Sequence, residues 1–341
     1  MKKIIKLFLI IMTTVSLTGC AQKVKIVPNK ISSLSLEEYK CDEFTMKKPK
    51  GWVVESGGEG IYYAIRTYDP NDERNQVFLM MKIQPFLKSE KARDFYKLQT
   101  NPSYSIFWDA IVLNKPTTEE FYKNFNAIAT YTKKYVNMPK VNFPSINNFN
   151  KLEEFESNAS MKNVALDSKV LRATYNTNKG DAAEGMFMAS IVNFGNQYAY
   201  GVDFLYYMVY DIMIVSSAKD EFIDYKDLLL NSINSIDFSD SYVKKTIDDS
   251  NAQTKQALEI NASIQKAFDS YMSSWENRNK SYDIMSQKQS DATLGYERVY
   301  DTETGDIYKA YNGFSDDYQG NRYKSISDDM YNEKVTGYIE K

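Results

Sequence analysis

Apolar residues in this chain recur with two periods, and that pattern restricts the fold to a mixture of sheet and helix. Between Phe44 and Val209 several segments alternate apolar and polar side chains, as half-buried strands do. Phe44-Thr45-Met46 runs through Pro49-Lys50-Gly51 into Trp52-Val53-Val54, a strand, a turn and a second strand. Gly57-Gly58-Glu59-Gly60 predicts a glycine-rich turn, residues 61–68 and 77–86 predict two further strands, and Asp69-Pro70-Asn71-Asp72 is the turn between them. Strands return at 169–177, 184–194 and 197–209, with Gly195-Asn196 as a tight hairpin turn. Helical spacing takes over at 90–99, where Ala92, Phe95, Tyr96 and Leu98 share a stripe. It recurs at 117–135, opened by the cap-like Thr117-Thr118-Glu119-Glu120, and at 220–233. Residues 137–150, with Pro139, Pro144 and several asparagines, predict a loop.

Beyond a polar stretch at 240–249, residues 250–289 carry one long helical pattern through Leu258, Ile264, Phe268, Tyr271, Met272 and Trp275. Residues 294–300 and 306–311 then alternate around Asp301-Thr302-Glu303-Thr304-Gly305, a hairpin with glycine where φ must be positive. The expected fold class is α+β: an antiparallel sheet covered by helices, followed by a long helix and a small β-rich module.

The chain holds no histidine and only two cysteines. The first fact removes Ser-His-Asp and Cys-His nucleophiles and the common histidine-bearing zinc sites. The formal net charge is −3, so there is no electrostatic footprint for nucleic acid.

Met1-Lys2-Lys3 is a positive start, and residues 4–17 are an apolar run too short to span a bilayer. Leu17-Thr18-Gly19-Cys20 follows: a bulky aliphatic, two small residues, then cysteine. This is identified as the lipobox of a bacterial lipoprotein, which implies cleavage before Cys20, acylation of its thiol and anchoring at the outer face of the cell membrane. Two acyl chains hold firmly where one is marginal. Cys41 is then left alone, a small residue at the start of a strand. The expected organisation is a signal peptide over 1–19, a lipidated tether over 20–33, an α+β domain over 34–241, a linker and amphipathic helix over 242–289, and a tyrosine-rich β module over 290–341.

The order of elements, from the strand ending in Pro49-Lys50-Gly51-Trp52 to the closing helix that ends in the run 228–238, resembles the PsbP-type α+β sandwich. Residues 100–165 would be an insertion in it. The resemblance implies an accessory or binding protein. The last 60 or so residues resemble a module at the end of many uncharacterised lipoproteins and secreted proteins of Gram-positive bacteria, which implies an extracytoplasmic setting.

Three Ser-x-x-Lys pairs, Ser216/Lys219, Ser241/Lys244 and Ser263/Lys266, are the one route to a nucleophile without histidine; they lack the partner motifs of penicillin-recognising enzymes. Asp301, Glu303 and Asp306 place oxygens at alternate positions, as calcium loops do, without the distal bidentate glutamate; a plain hairpin turn is the simpler expectation. Tyr296, Arg298, Tyr300, Tyr308 and Tyr311 crowd one hairpin. Most tyrosines of so small a module belong in its core, but an exposed Tyr/Arg face would suit a glycan or peptide. The expected function is a membrane-anchored binding or accessory module for an envelope protein, glycan or peptide, without a cofactor. The alternatives are a carboxylate- or Ser/Lys-dependent envelope hydrolase and a structural subunit of an envelope assembly.

Overall fold

The computed structural model describes residues 23–136, 138, 140–248 and 260–341. Two compact units divide the chain. One is residues 34–279, and the other joins the segment before residue 34 to residues 280–341. The mixed helix and antiparallel-sheet composition is the α+β class that the two periods predict.

β1 (Ile26–Pro28) belongs to the small unit. The large unit opens with β2 (Leu36–Lys40) and β3 (Phe44–Pro49), and continues in a meander of β4 (Val53–Glu59), β5 (Tyr62–Asp69) and β6 (Asp72–Leu87). After β7 (Ile111–Val112) come β8 (Asn147–Glu156), β9 (Ala165–Asn176) and β10 (Ala182–Asn193). A small hairpin of β11 (Tyr198–Ala199) and β12 (Val202–Asp203) leads into the long β13 (Tyr206–Ala218), and β14 (Asp237–Phe238) is the last strand described in the unit. The main sheet runs β4-β5-β6-β13-β10-β9-β8, all antiparallel, with β7 alongside β6; β14, β3 and β2 form a second, three-stranded sheet.

The alternation along these strands builds two buried faces. Phe78, Phe187 and Ile212 meet Phe121, Tyr122 and Phe125 from the helices Thr118–Lys123 and Phe125–Tyr135 in one core. Most of these rings pack edge-on at 5–6 Å, as the aromatic quadrupole favours, with Phe78–Phe125 at 5.8 Å and 88°, while Tyr122 and Phe125 stack at 5.6 Å. The opposite parity carries Arg172, whose Nε donates to Glu184 at 2.7 Å and whose guanidinium lies 5.7 Å from the Trp275 ring of the helix Ile260–Glu276.

Three expectations are corrected here. Residues 147–150 are not loop but the start of β8, whose charged, half-exposed side chains hide the strand pattern at a sheet edge. Gly195-Asn196 is not a tight hairpin turn; the reversal is made by β11 and β12, with Tyr200 and Gly201 at positive φ. The helical pattern of 250–289 is, in its described part, two helices, Ile260–Glu276 and Lys280–Leu294, and they fall in different units. The break at 277–279 is stabilised by the Arg278 side chain, which lies 3.8 Å from the Trp275 ring and donates to the Trp275 carbonyl.

The small unit is a five-stranded sheet in the order β1-β18-β16-β15-β17, built from β15 (Tyr296–Asp301), β16 (Ile307–Tyr311), β17 (Tyr323–Ser325) and β18 (Val335–Ile339). β1 pairs antiparallel to β18, Ile26 opposite Ile339. The stretch expected as a free tether is therefore, from Ile26 on, part of the fold. A three-residue strand with a proline gives little signal by itself and is held by its partner.

Candidate functional site

Of the tyrosine and arginine cluster expected to bind, the structure places Arg298 and Tyr308 inside the small unit. Arg298 is 4% exposed. Its Nε donates to Asp291 Oδ2 at 2.6 Å, and Lys309 Nζ lies 2.9 Å from the other oxygen of the same carboxylate. Alternation does put Tyr296 and Arg298 on one face, but the helix Lys280–Leu294 covers it. An exposed Tyr/Arg face is thus overturned by a buried charge cluster. Tyr308 packs with Phe314, Tyr323 and Val299 in the core of the other face, with Tyr311 against it. Tyr296 and Tyr300 are half-buried, and Tyr296 pairs with the Tyr338 ring at 5.9 Å.

The calcium candidate is likewise corrected. Asp301 is fully buried, and both its oxygens accept from Arg322, at 2.6–3.0 Å. That guanidinium holds the carboxyl below the ordinary aspartate range. Arg322 also reaches Glu303, while Asp306 bonds Thr304 and Thr336. An arginine stands where a cation would, and no cluster of three metal-ligating groups exists among the described residues.

None of the three Ser-x-x-Lys pairs forms a catalytic contact. Ser216 bonds the Arg74 carbonyl and Tyr175, Ser241 bonds Ser239, and Ser263 bonds Ser160. Cys41 is half-buried, and burial pushes its thiol up, away from the reactive thiolate. Cys20 and the lipobox Leu17-Thr18-Gly19 lie outside the described residues.

The feature that sequence reasoning missed is a cavity of about 390 Å³ in the large unit. That is within the range of small-ligand sites. Glu59 at the end of β4, Tyr62 at the start of β5, Gln84 and Pro85 in β6 and Tyr206 at the start of β13 make the sheet side. The helices between β6 and β8 make the other: Ile106 and Phe107 from the helix Ser105–Trp108, and Tyr131, Tyr135 and Val136 from the end of the helix Phe125–Tyr135.

Each wall is fixed by its own contacts. Helix Glu90–Lys97 begins at Ser89, whose hydroxyl accepts from Ala92 N–H, and it delivers Tyr96 to stack on Phe107 at 4.3 Å. The Tyr131 hydroxyl donates to the Ile106 carbonyl at 2.9 Å and so ties these two helices together. Tyr206 is stacked on Phe194 at 4.7 Å and meets Phe107 at 5.8 Å. The Tyr135 hydroxyl donates to Asp109 at 2.7 Å.

The lining is aromatic with few polar groups. Burial pushes the Tyr62 phenol up to about 12 and the Tyr131, Tyr135 and Tyr206 phenols upward as well, so all four are neutral at pH 7. The Gln84 Oε1 atom is buried with no hydrogen-bond partner. Close by, Lys82 is 6% exposed, and its ammonium lies 5.6 Å from the Tyr62 ring and 5.1 Å from the Tyr210 ring. Desolvation pulls its amine down to about 8. A faint signal was legible: Tyr131 and Tyr135 are i, i+4 on a helix, and Tyr104, Phe107 and Trp108 crowd a short segment.

Comparison of the sequence with protein-family models and with curated proteins finds no match.

Proposed function

We propose that the chain is a lipid-anchored binding protein at the outer face of the cell membrane, and that the aromatic cavity of the large unit takes its ligand, a fragment of envelope glycan or peptide. The observation that carries this reading is the cavity itself: preformed, walled by tyrosine and phenylalanine, with a few polar atoms to orient a guest. The lipobox supports the location. Ile26 in β1 follows Cys20 by six positions, and an extended chain of that length reaches only about 20 Å. The small unit would then stay close to the bilayer, and the anchor would concentrate the protein in a thin layer there.

Two results test this. Cys20→Ala is expected to release the protein from the membrane fraction and to remove the fatty-acid mass; a variant still membrane-bound with unchanged mass rules the anchor out. For the cavity, soluble fragments of the envelope are expected to raise the melting temperature of the protein. A ligand present at a hundred times its Kd adds about 2.7 kcal/mol. The Tyr62→Ala/Tyr206→Ala variant is expected to lose that shift. If the double variant responds as the wild type does, the ligand binds elsewhere.

A further inference from the structure

We propose that the group seated in the cavity is an organic cation, a quaternary or protonated alkylammonium held by the aromatic lining and faced by the Glu59 carboxylate. This rests on the reading of the cavity as the ligand site and names the chemistry of what enters it.

Five of the ten lining residues are aromatic: Tyr62, Phe107, Tyr131, Tyr135 and Tyr206. The face of such a ring is the negative end of its quadrupole, and several rings around one space attract a diffuse positive charge. The attraction grows as a ring and its guest are desolvated; Tyr131 is buried, and Tyr62, Phe107, Tyr135 and Tyr206 are half-buried. Glu59 is the one charged residue in the lining, and neither lysine nor arginine is part of it. The unpartnered Gln84 Oε1 adds a second acceptor and no positive charge.

A neutral apolar guest would desolvate Glu59 and Gln84 without compensation, and an anion would oppose the carboxylate. One lining ring, Tyr62, already faces a cation next door. Lys82 sits between the Tyr62 and Tyr210 rings with no ion-pair partner among the described residues. Lys134, the other nearby cation, is paired to Asp109 and contributes little net charge.

The test is calorimetric titration of the full chain with choline and with 3,3-dimethylbutan-1-ol, which has the same shape without the charge. Choline is expected to bind at least tenfold more tightly. Tyr206→Phe, which keeps the ring, is expected to retain choline; Tyr206→Leu is expected to lose at least tenfold, and Glu59→Gln about fivefold. Unchanged tryptophan fluorescence melts show that these variants are folded.

Equal affinity for the two compounds overturns the inference and leaves the cavity as a site selected by shape. Envelope fragments that bind and are not displaced by choline overturn it as well. If neither the small molecules nor the fragments bind, the inference fails together with the reading of the cavity on which it rests.

Discussion

Replacing Asp291 with alanine is expected to unfold the small unit while the large one stays intact. The Asp291 carboxylate sits between Arg298 and Lys309, all three less than a tenth exposed. Removing it strands two buried cations, and breaking a buried pair in this way costs about 3–5 kcal/mol. That is a large share of what a unit of this size has, at roughly 0.05–0.15 kcal/mol per residue. Hydrogen exchange reads the result by region. The amides of β15 and β16 are expected to lose protection by two to three orders of magnitude. The emission of Trp52, Trp108 and Trp275, all within residues 34–279, is expected to stay unchanged. Protection retained in β15 and β16 would show that the charge cluster is not what holds the sheet to its helix. The experiment also separates roles for Arg298, since a binding arginine would be dispensable for folding.

Asp211→Asn is expected to stabilise the large unit at pH 7 and to have little effect at pH 4. Asp211 is buried in β13 at a bulge, with φ at +53°, a conformation that aspartate and asparagine tolerate better than most residues. It ends a chain of buried hydroxyls: Ser157 to Ser168, Ser168 to Ser190, and the Ser190 hydroxyl donating to Asp211 at 2.9 Å. Burial pushes its carboxyl up to about 6, against the favourable effects of Ser190, the Met161 amide and Lys266.

The sign follows from proton counting. Between about pH 4 and pH 6 the folded state holds a proton that the unfolded state has released, so stability falls as pH rises through that window and is flat above it. The loss amounts to about 3 kcal/mol, two pKa units at 1.36 kcal/mol each. Asparagine keeps the backbone conformation and one acceptor and removes the charge. Urea unfolding followed by tryptophan emission at pH 4, 5, 6 and 7 measures it. A wild-type slope that the variant retains would assign the pH dependence to other groups.

How far the sequence reaches can be judged from particular elements. The meander from Phe44 to Phe86 was legible because its alternation and its burial agree, although the expected turn at Gly57–Gly60 is strand through Glu59 and the chain turns at Gly60 and Ile61. β8 was not, because an edge strand rich in Glu, Lys and Asn carries no apolar alternation. β1 and β18 were not, because their pairing joins residues some 300 positions apart. The helix 117–135 was found but not its break at Asn124, which caps one short helix and opens the next. At the level of sites, alternation puts Tyr296 and Arg298 on one face but does not record that the helix Lys280–Leu294 covers Arg298. The cavity was invisible for a related reason: its walls come from four strands and a pair of helices, and no local spacing records their convergence.

The central claim is that the cavity, and not the tyrosine-rich unit, receives the ligand. Methyl-resolved NMR during titration with envelope fragments tests it most directly. The account predicts that the Ile106 and Val136 methyls, which line the cavity, shift while those of Val299, Ile307 and Ile339 in the small unit do not. Shifts confined to Val299, Ile307 and Ile339 would contradict it.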